Sequence, residues 1–357
     1  MKNLLMIALA AASVATMSAQ DCKSLYEQAK KLDDTFNKEK PTVMAPQKQI
    51  TPEGAAALLQ AYDLYQQVIE CEKVPNAKGK VENKLTKKVE KSLKEHAEDQ
   101  DYNKAAIVLF NADRRYPEAY TAFMLSGATT RDLGNVADTV YAVDFYNAGN
   151  CAFGSNFPAA AKAYAEARKA HSTEPQVYVY NIASLQQMAQ ADSTYNAADD
   201  IFAVASEGVG RFGAADDFVF GNYIQHFLDA KSYDEAINTI NSIMAKEPSN
   251  ANLYRLRAIV NNARHQYADA VPDFKKLAEL SDNFEYVHDA ADNINKIAKF
   301  MMGQLQNATP EQKTQILDFF NSALKIANKA KTLEGANGSI DYVIEDINYN
   351  LDNANKL

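Results

Sequence analysis

Apolar residues along this chain recur at i, i+3, i+4 and i+7, as in Ala105, Leu109 and Ala112, or Leu317, Phe320, Leu324 and Ala327. That spacing lays one face of a helix against a core, and no stretch shows the strict two-residue alternation of a strand. The pattern predicts about sixteen helices and essentially no sheet. Breakers divide them at Pro117, Gly134, Pro158, Pro175, Gly208 to Gly213, Pro248 and Pro310. The first helix is expected over about 22–37 and the second over about 53–71, joined by a polar, proline-containing loop at 37–52. The last three are expected over about 283–305, 310–331 and 339–355.

One group of positions returns. Tyr233, Ala236, Ile240 and Ile243 reappear as Tyr267, Ala270, Phe274 and Leu277. Upstream the group reads Tyr195, Ala198, Phe202 and Ala205, then Phe157, Ala160, Tyr164 and Ala167, at spacings of 38, 38 and 34 residues. An earlier copy runs Tyr102, Ala105, Leu109 and Ala112, ending at Pro117 as the later one ends at Pro248. Each position has a steric reason. Alanine lets two antiparallel helices cross closely, the aromatic fills the corner where the second helix starts, and the large apolar residues bury between helices. Proline then stops the second helix. Between Glu118 and Asn156 the register breaks, which predicts an extra helix inserted between copies.

These residues resemble the tetratricopeptide repeat, most clearly over 217–250 and 251–284. The resemblance implies an all-α fold, a right-handed α-solenoid of antiparallel helix pairs. The chain as a whole is expected to divide into a signal peptide (1–19), an N-terminal helical hairpin (20–79), repeats (80–284) and C-terminal capping helices (285–357). Departures are Ile224 where Ala258 holds the equivalent small position, the lack of tryptophan, and two copies of 38 residues. In this family the first helix of each pair lines a concave groove that holds a peptide. Carried over, the groove positions are Phe218, Gly221, Gln225, Leu228 and Asp229, followed by Asn252, Arg255, Ile259, Asn262 and Ala263. Gln225, Asn252, Arg255 and Asn262 would donate hydrogen bonds, with Arg255 suited to an acidic group.

The first residues change the setting. Lys2 is followed by an apolar run from Leu4 to Ala15, too short to span a bilayer, with small residues up to Ala19. This reads as a leader that directs export to the periplasm or cell envelope. Cys22 follows Asp21 rather than a small residue, which argues against a lipid anchor. The formal charge of −9 disfavours a nucleic-acid partner. An oxidising compartment permits disulfides. Cys22 opens the first helix and Cys71 closes the second, so the two ends of an antiparallel hairpin meet and a Cys22–Cys71 bridge is expected. Closing that loop would contribute about 4 kcal/mol in the entropic account. Cys151 is expected to be a buried apolar residue.

Other signals are weighed against plainer readings. Gly208-Val209-Gly210-Arg211-Phe212-Gly213 has the spacing of a dinucleotide fingerprint but follows a repeat helix rather than a strand, so a helix cap is expected. Lys80, Lys84, Lys87, Lys91 and Lys94 fall at steps of four and three, a stripe that would suit an anionic partner such as an envelope polymer, or a solvated helical face. The five histidines are scattered without a zinc spacing, and no nucleophile elbow or phosphate loop occurs. No cofactor, metal or catalytic residue is expected. The chain is expected to be a non-enzymatic exported scaffold that binds a protein or peptide. The alternative is a glycan- or nutrient-binding helical-repeat protein.

Overall fold

The computed structural model describes residues 19–75, 79–305 and 307–356. The expected leader lies outside the described residues except for Ala19, as do three residues of the break at 75–79. Among the described residues there are sixteen helices and no strand beyond one isolated bridge between Thr42 and Ala45. They are α1 (Ala19–Glu39), α2 (Pro52–Glu72), α3 (Lys84–Glu98), α4 (Asp101–Asn111), α5 (Tyr116–Leu133), α6 (Asp138–Ala152), α7 (Phe157–Lys169) and α8 (Gln176–Ala191). Then follow α9 (Ala198–Phe212), α10 (Asp217–Asp229), α11 (Tyr233–Met244), α12 (Ala251–Ala263), α13 (Tyr267–Leu280), α14 (Phe284–Gly303), α15 (Pro310–Ala330) and α16 (Ser339–Ala354). The chain divides into two compact units, one ending at Asp200 and the other beginning at Ile201, so the division falls inside α9.

In the first unit each helix packs on the next from α1 to α8. α1 and α2 form a hairpin whose open end is closed by a disulfide between Cys22 and Cys71, with Cα atoms 5.6 Å apart. Glu72, at the end of α2, accepts the backbone N–H groups of Leu85 (3.0 Å) and Thr86 (2.7 Å), meeting donors that the first turn of α3 leaves unpaired. Helices α5 and α6 fill the stretch where the repeat register broke. Close approach there depends on glycine: a Cβ on Gly149 would stand 2.3 Å from the Tyr164 ring.

A buried ionic knot ties the hairpin to α3 and α4. His96 is bonded through Nε2 to Asp33 and through Nδ1 to Asp101, each at 2.9 Å. Tyr65 and Ser92 also donate to Asp33, and Lys40 and Lys104 to Asp101. Burial alone would lower the imidazole's affinity for its proton, but the two carboxylates outweigh it and raise the pKa to about 9. Burial would raise the Asp33 and Asp101 carboxyls, yet the bonds they accept hold both below the usual range.

In the second unit every helix from α10 to α16 packs on its successor, and also on the helix two places along in the pairs α10/α12, α12/α14, α13/α15 and α14/α16. That is how stacked helix pairs bury their apolar faces against their neighbours. Ala236 and Ile240 are buried in one cluster of this unit and Ala270, Phe274 and Leu277 in another, and Ala105, Leu109, Ala160, Tyr164 and Ala167 are buried in the first unit. One copy departs from the pattern. Tyr195 lies before α9 and Ala198, its first residue, is exposed, while Ala197 is buried. The cause is local: Asp192 accepts both the backbone N–H (2.9 Å) and hydroxyl (2.6 Å) of Thr194, and Tyr195 turns to Asp200. That turn delays the helix, so the expected inward alanine falls in an open first turn. The glycine run behaves as a helix end: Gly208 and Gly210 lie within α9, and Gly213 follows it at φ +64°.

Candidate functional site

Two side chains fix where α10 and α12 begin. The Asp216 carboxylate accepts the N–H groups of Phe218 (3.0 Å) and Val219 (2.9 Å), and Asn250 accepts that of Asn252 (3.1 Å). With α10 started there, Phe218, Gly221, Gln225 and Leu228 fall in one row, while Phe220 and Ile224 enter the core with Ala236 and Ile240. α12 likewise buries Leu253 and Val260 in that core and leaves Arg255 and Ile259 half-buried. Between the two rows lies an open cleft of about 400 Å³, lined by Asp217, Phe218, Gly221, Asn222, Ile224, Gln225, Leu228, Arg255, Leu256 and Ile259.

The one cation in that lining is held from several sides. The Arg255 guanidinium lies over the Tyr286 ring, 5.5 Å from its centre. Its Nη1 donates to Asn252 Oδ1 at 3.5 Å, and its Nε stands 3.7 Å from Asp289 Oδ2. The second distance is an ion pair but not a hydrogen bond, and Arg255 Nε is buried without an acceptor. Tyr286 in turn donates its hydroxyl to Asp217. Burial, with that bond to a carboxylate, pushes the phenol to about 12, so it remains a donor at neutral pH. Apolar surface from Phe218, Leu228 and Ile259 therefore alternates with an amide and an oriented guanidinium. This chemistry grips a chain by hydrogen bonds and apolar contact.

Of the sequence-derived groove residues, Phe218, Gly221, Gln225, Leu228, Arg255 and Ile259 come together in the cleft. Asp229 is exposed beside it and accepts from Gln225 at 2.7 Å. Asn252 is buried, with its Nδ2 unpartnered, and so stands behind the surface rather than on it. Asn262 is half-buried and Ala263 exposed, and neither lines the cleft. Sequence reasoning missed Tyr286 and Asp289, which reach Arg255 from α14. Extending the repeat register past residue 284 is the signal that would have found them.

The lysine stripe is shorter than its spacing implied. Lys84, Lys87, Lys91 and Lys94 are exposed on α3, but Lys80 precedes the helix, as does Val81, which is 61 % exposed. Lys91 pairs with Glu95 at 3.6 Å and Lys94 with Glu98 at 3.5 Å, which offsets half of the helical stripe's charge. Cys151 is buried, and burial pushes its thiol up to about 12. Among the described residues, no group of three or more His, Cys, Asp or Glu is placed to hold a metal ion, and no helix is long and apolar enough to cross a membrane.

No protein-family model matches the chain, and no curated protein does. Solved structures similar to it are repeat proteins. The C-terminal part of a TPR repeat-containing protein from Cytophaga hutchinsonii is 13% identical, covering 71% of this chain and 98% of its own, at a TM-score of 0.32. The TPR2AB domain of yeast Sti1, in a complex with pHSP90, is 11% identical over 92% of this chain and 99% of its own, at 0.24. The human IFIT1 dimer with PPP-AAAA is 12% identical over 93% and 88%, at 0.28. Scores this low carry no weight for function. The helix pairs and the cleft rest on this chain's own residues.

Proposed function

We propose that this chain is a non-enzymatic, exported scaffold that holds an extended segment of a partner protein in the cleft between α10 and α12. The observation that supports this reading is the set guanidinium of Arg255, stacked on Tyr286 and bonded to Asn252, at the side of a cleft with apolar walls. A side chain already ordered loses little freedom on binding, so its interaction appears as affinity. Helix pairs on rigid neighbours extend the same advantage to the whole row. Export follows from the leader expected over 1–19 and stands with it as part of the proposal.

The test is capture of a partner from a cell-envelope extract by the immobilised chain, alongside a glycan array. Arg255→Ala and Gln225→Ala should each weaken capture at least about tenfold, in keeping with a residue at the centre of an interface. Their thermal unfolding should match the parent's. Capture that survives both substitutions would move binding off this cleft. A glycan hit without protein capture would replace the scaffold reading with the sugar-binding one.

A further inference from the structure

The connection between α1 and α2 is long, and it is tightly held. Glu39 accepts the backbone N–H (2.9 Å) and the hydroxyl (2.8 Å) of Thr51, closing its base. Lys40 donates to Asp99 and Asp101, both at 2.6 Å. Thr42 and Ala45 exchange backbone hydrogen bonds, and the Thr42 hydroxyl accepts from the Ala45 N–H at 3.1 Å. Pro41 and Pro46 restrict the backbone on either side. The result is a fixed turn that presents two apolar side chains at its tip, Val43 at 98 % exposure and Met44 at 92 %. A scattered exposed residue is ordinary, but two adjacent ones on a braced turn form a ready-made knob. Lys38 and Lys48, both exposed, flank it.

Such a knob fits an apolar hollow with carboxylates at its edge, and the α10/α12 cleft has that chemistry. Its walls carry Phe218 and Ile259, Asp217 lines it, and Asp229 and Asp289 adjoin it through Gln225 and Arg255. Three carboxylates against one guanidinium leave the cleft attractive to lysine. We infer that the Val43–Met44 turn of one copy of this chain docks in the α10/α12 cleft of a second copy. The inference rests on the cleft being a binding site, as proposed above, and names its occupant. Knob and cleft are different surfaces, so the contact is heterologous. Two side chains bury little area, which makes the association weak and concentration-dependent, with a Kd of roughly 10 to 1000 µM.

Sedimentation velocity of the full chain over a rising concentration series reads the association. Val43→Asp with Met44→Asp should abolish it, and so should Phe218→Asp alone. An equimolar mixture of the two variants should associate again, since one keeps the cleft and the other the knob. The chain has no tryptophan, so Met44→Trp places a single indole at the tip. Its emission should shift to the blue as concentration rises, and Phe218→Asp in the same chain should remove the shift. No association at millimolar chain would overturn the inference while leaving partner capture by the cleft intact. Association lost with the knob variant but kept in Phe218→Asp would overturn it too, placing the knob elsewhere. A blue shift seen only with phospholipid vesicles would overturn it in favour of a lipid surface.

Discussion

His96 takes its charge from two neighbours, and the sign of its shift sets how stability depends on pH. Its pKa rises from 6.5 to about 9 on folding, so the folded state binds the proton more tightly. The contribution is full below pH 6.5 and is lost as pH climbs towards 9, amounting to about 3 kcal/mol. Asp33 and Asp101 are shifted the other way, so theirs is present above the ordinary carboxylate range and lost on acidification. Urea unfolding at pH 6, 7.5 and 9 should show a steady decline across that window. His96→Gln should cost about 3 kcal/mol at pH 6, because it leaves two buried carboxylates facing no imidazolium, and should flatten the decline. Stability that does not change from pH 6.5 to 9 in the parent would contradict this. A second residue-scale feature is repeated: Gln100, Lys231 and His265 adopt φ of 54°, 57° and 62°, each two positions before an aromatic (Tyr102, Tyr233 and Tyr267) in the first turn of the next helix. Left-handed backbone favours glycine there, so Lys231→Gly should stabilise by about 0.5–1 kcal/mol, read from the shift in the urea midpoint.

Among the helices, the repeated small residue separates close crossings from open turns. Ala236→Leu forces a side chain into a filled crossing and should cost about 1–3 kcal/mol. Ala198→Leu, on the exposed first turn of α9, should change stability by less than about 0.5 kcal/mol, and chemical denaturation of the pair tests the contrast. Those two alanines also show how far the sequence could be read. Spacing alone identified Ala236 and Ala270, because packing between helix pairs repeats and leaves a periodic trace. It misplaced Ala198, because side-chain bonding by Asp192 overrode the period, and turn chemistry leaves no periodic mark. At the cleft, Phe218, Gln225 and Arg255 were legible from register. Tyr286 and Asp289 were not, since they meet Arg255 from a helix outside the two well-registered copies. Asn252 reads as a surface donor by residue type, and nothing in its identity discloses its burial.

At the level of the whole molecule, the division between Asp200 and Ile201 had no forerunner in composition: no glycine, proline or charge run marks it, because it interrupts α9 internally. The braced turn belongs to the first unit and the cleft to the second. The disulfide has a further consequence for the first. Cys22 and Cys71 lie on opposite sides of the 40–51 connection, so the backbone can be cut there without freeing either piece. Brief trypsin treatment should cleave after the exposed Lys48 and leave a nicked protein that runs as one band on a gel without reductant. Added thiol should split that band in two. A severed yet tethered hairpin would let the knob be disarmed by proteolysis while α1 remains chained to its partner helix.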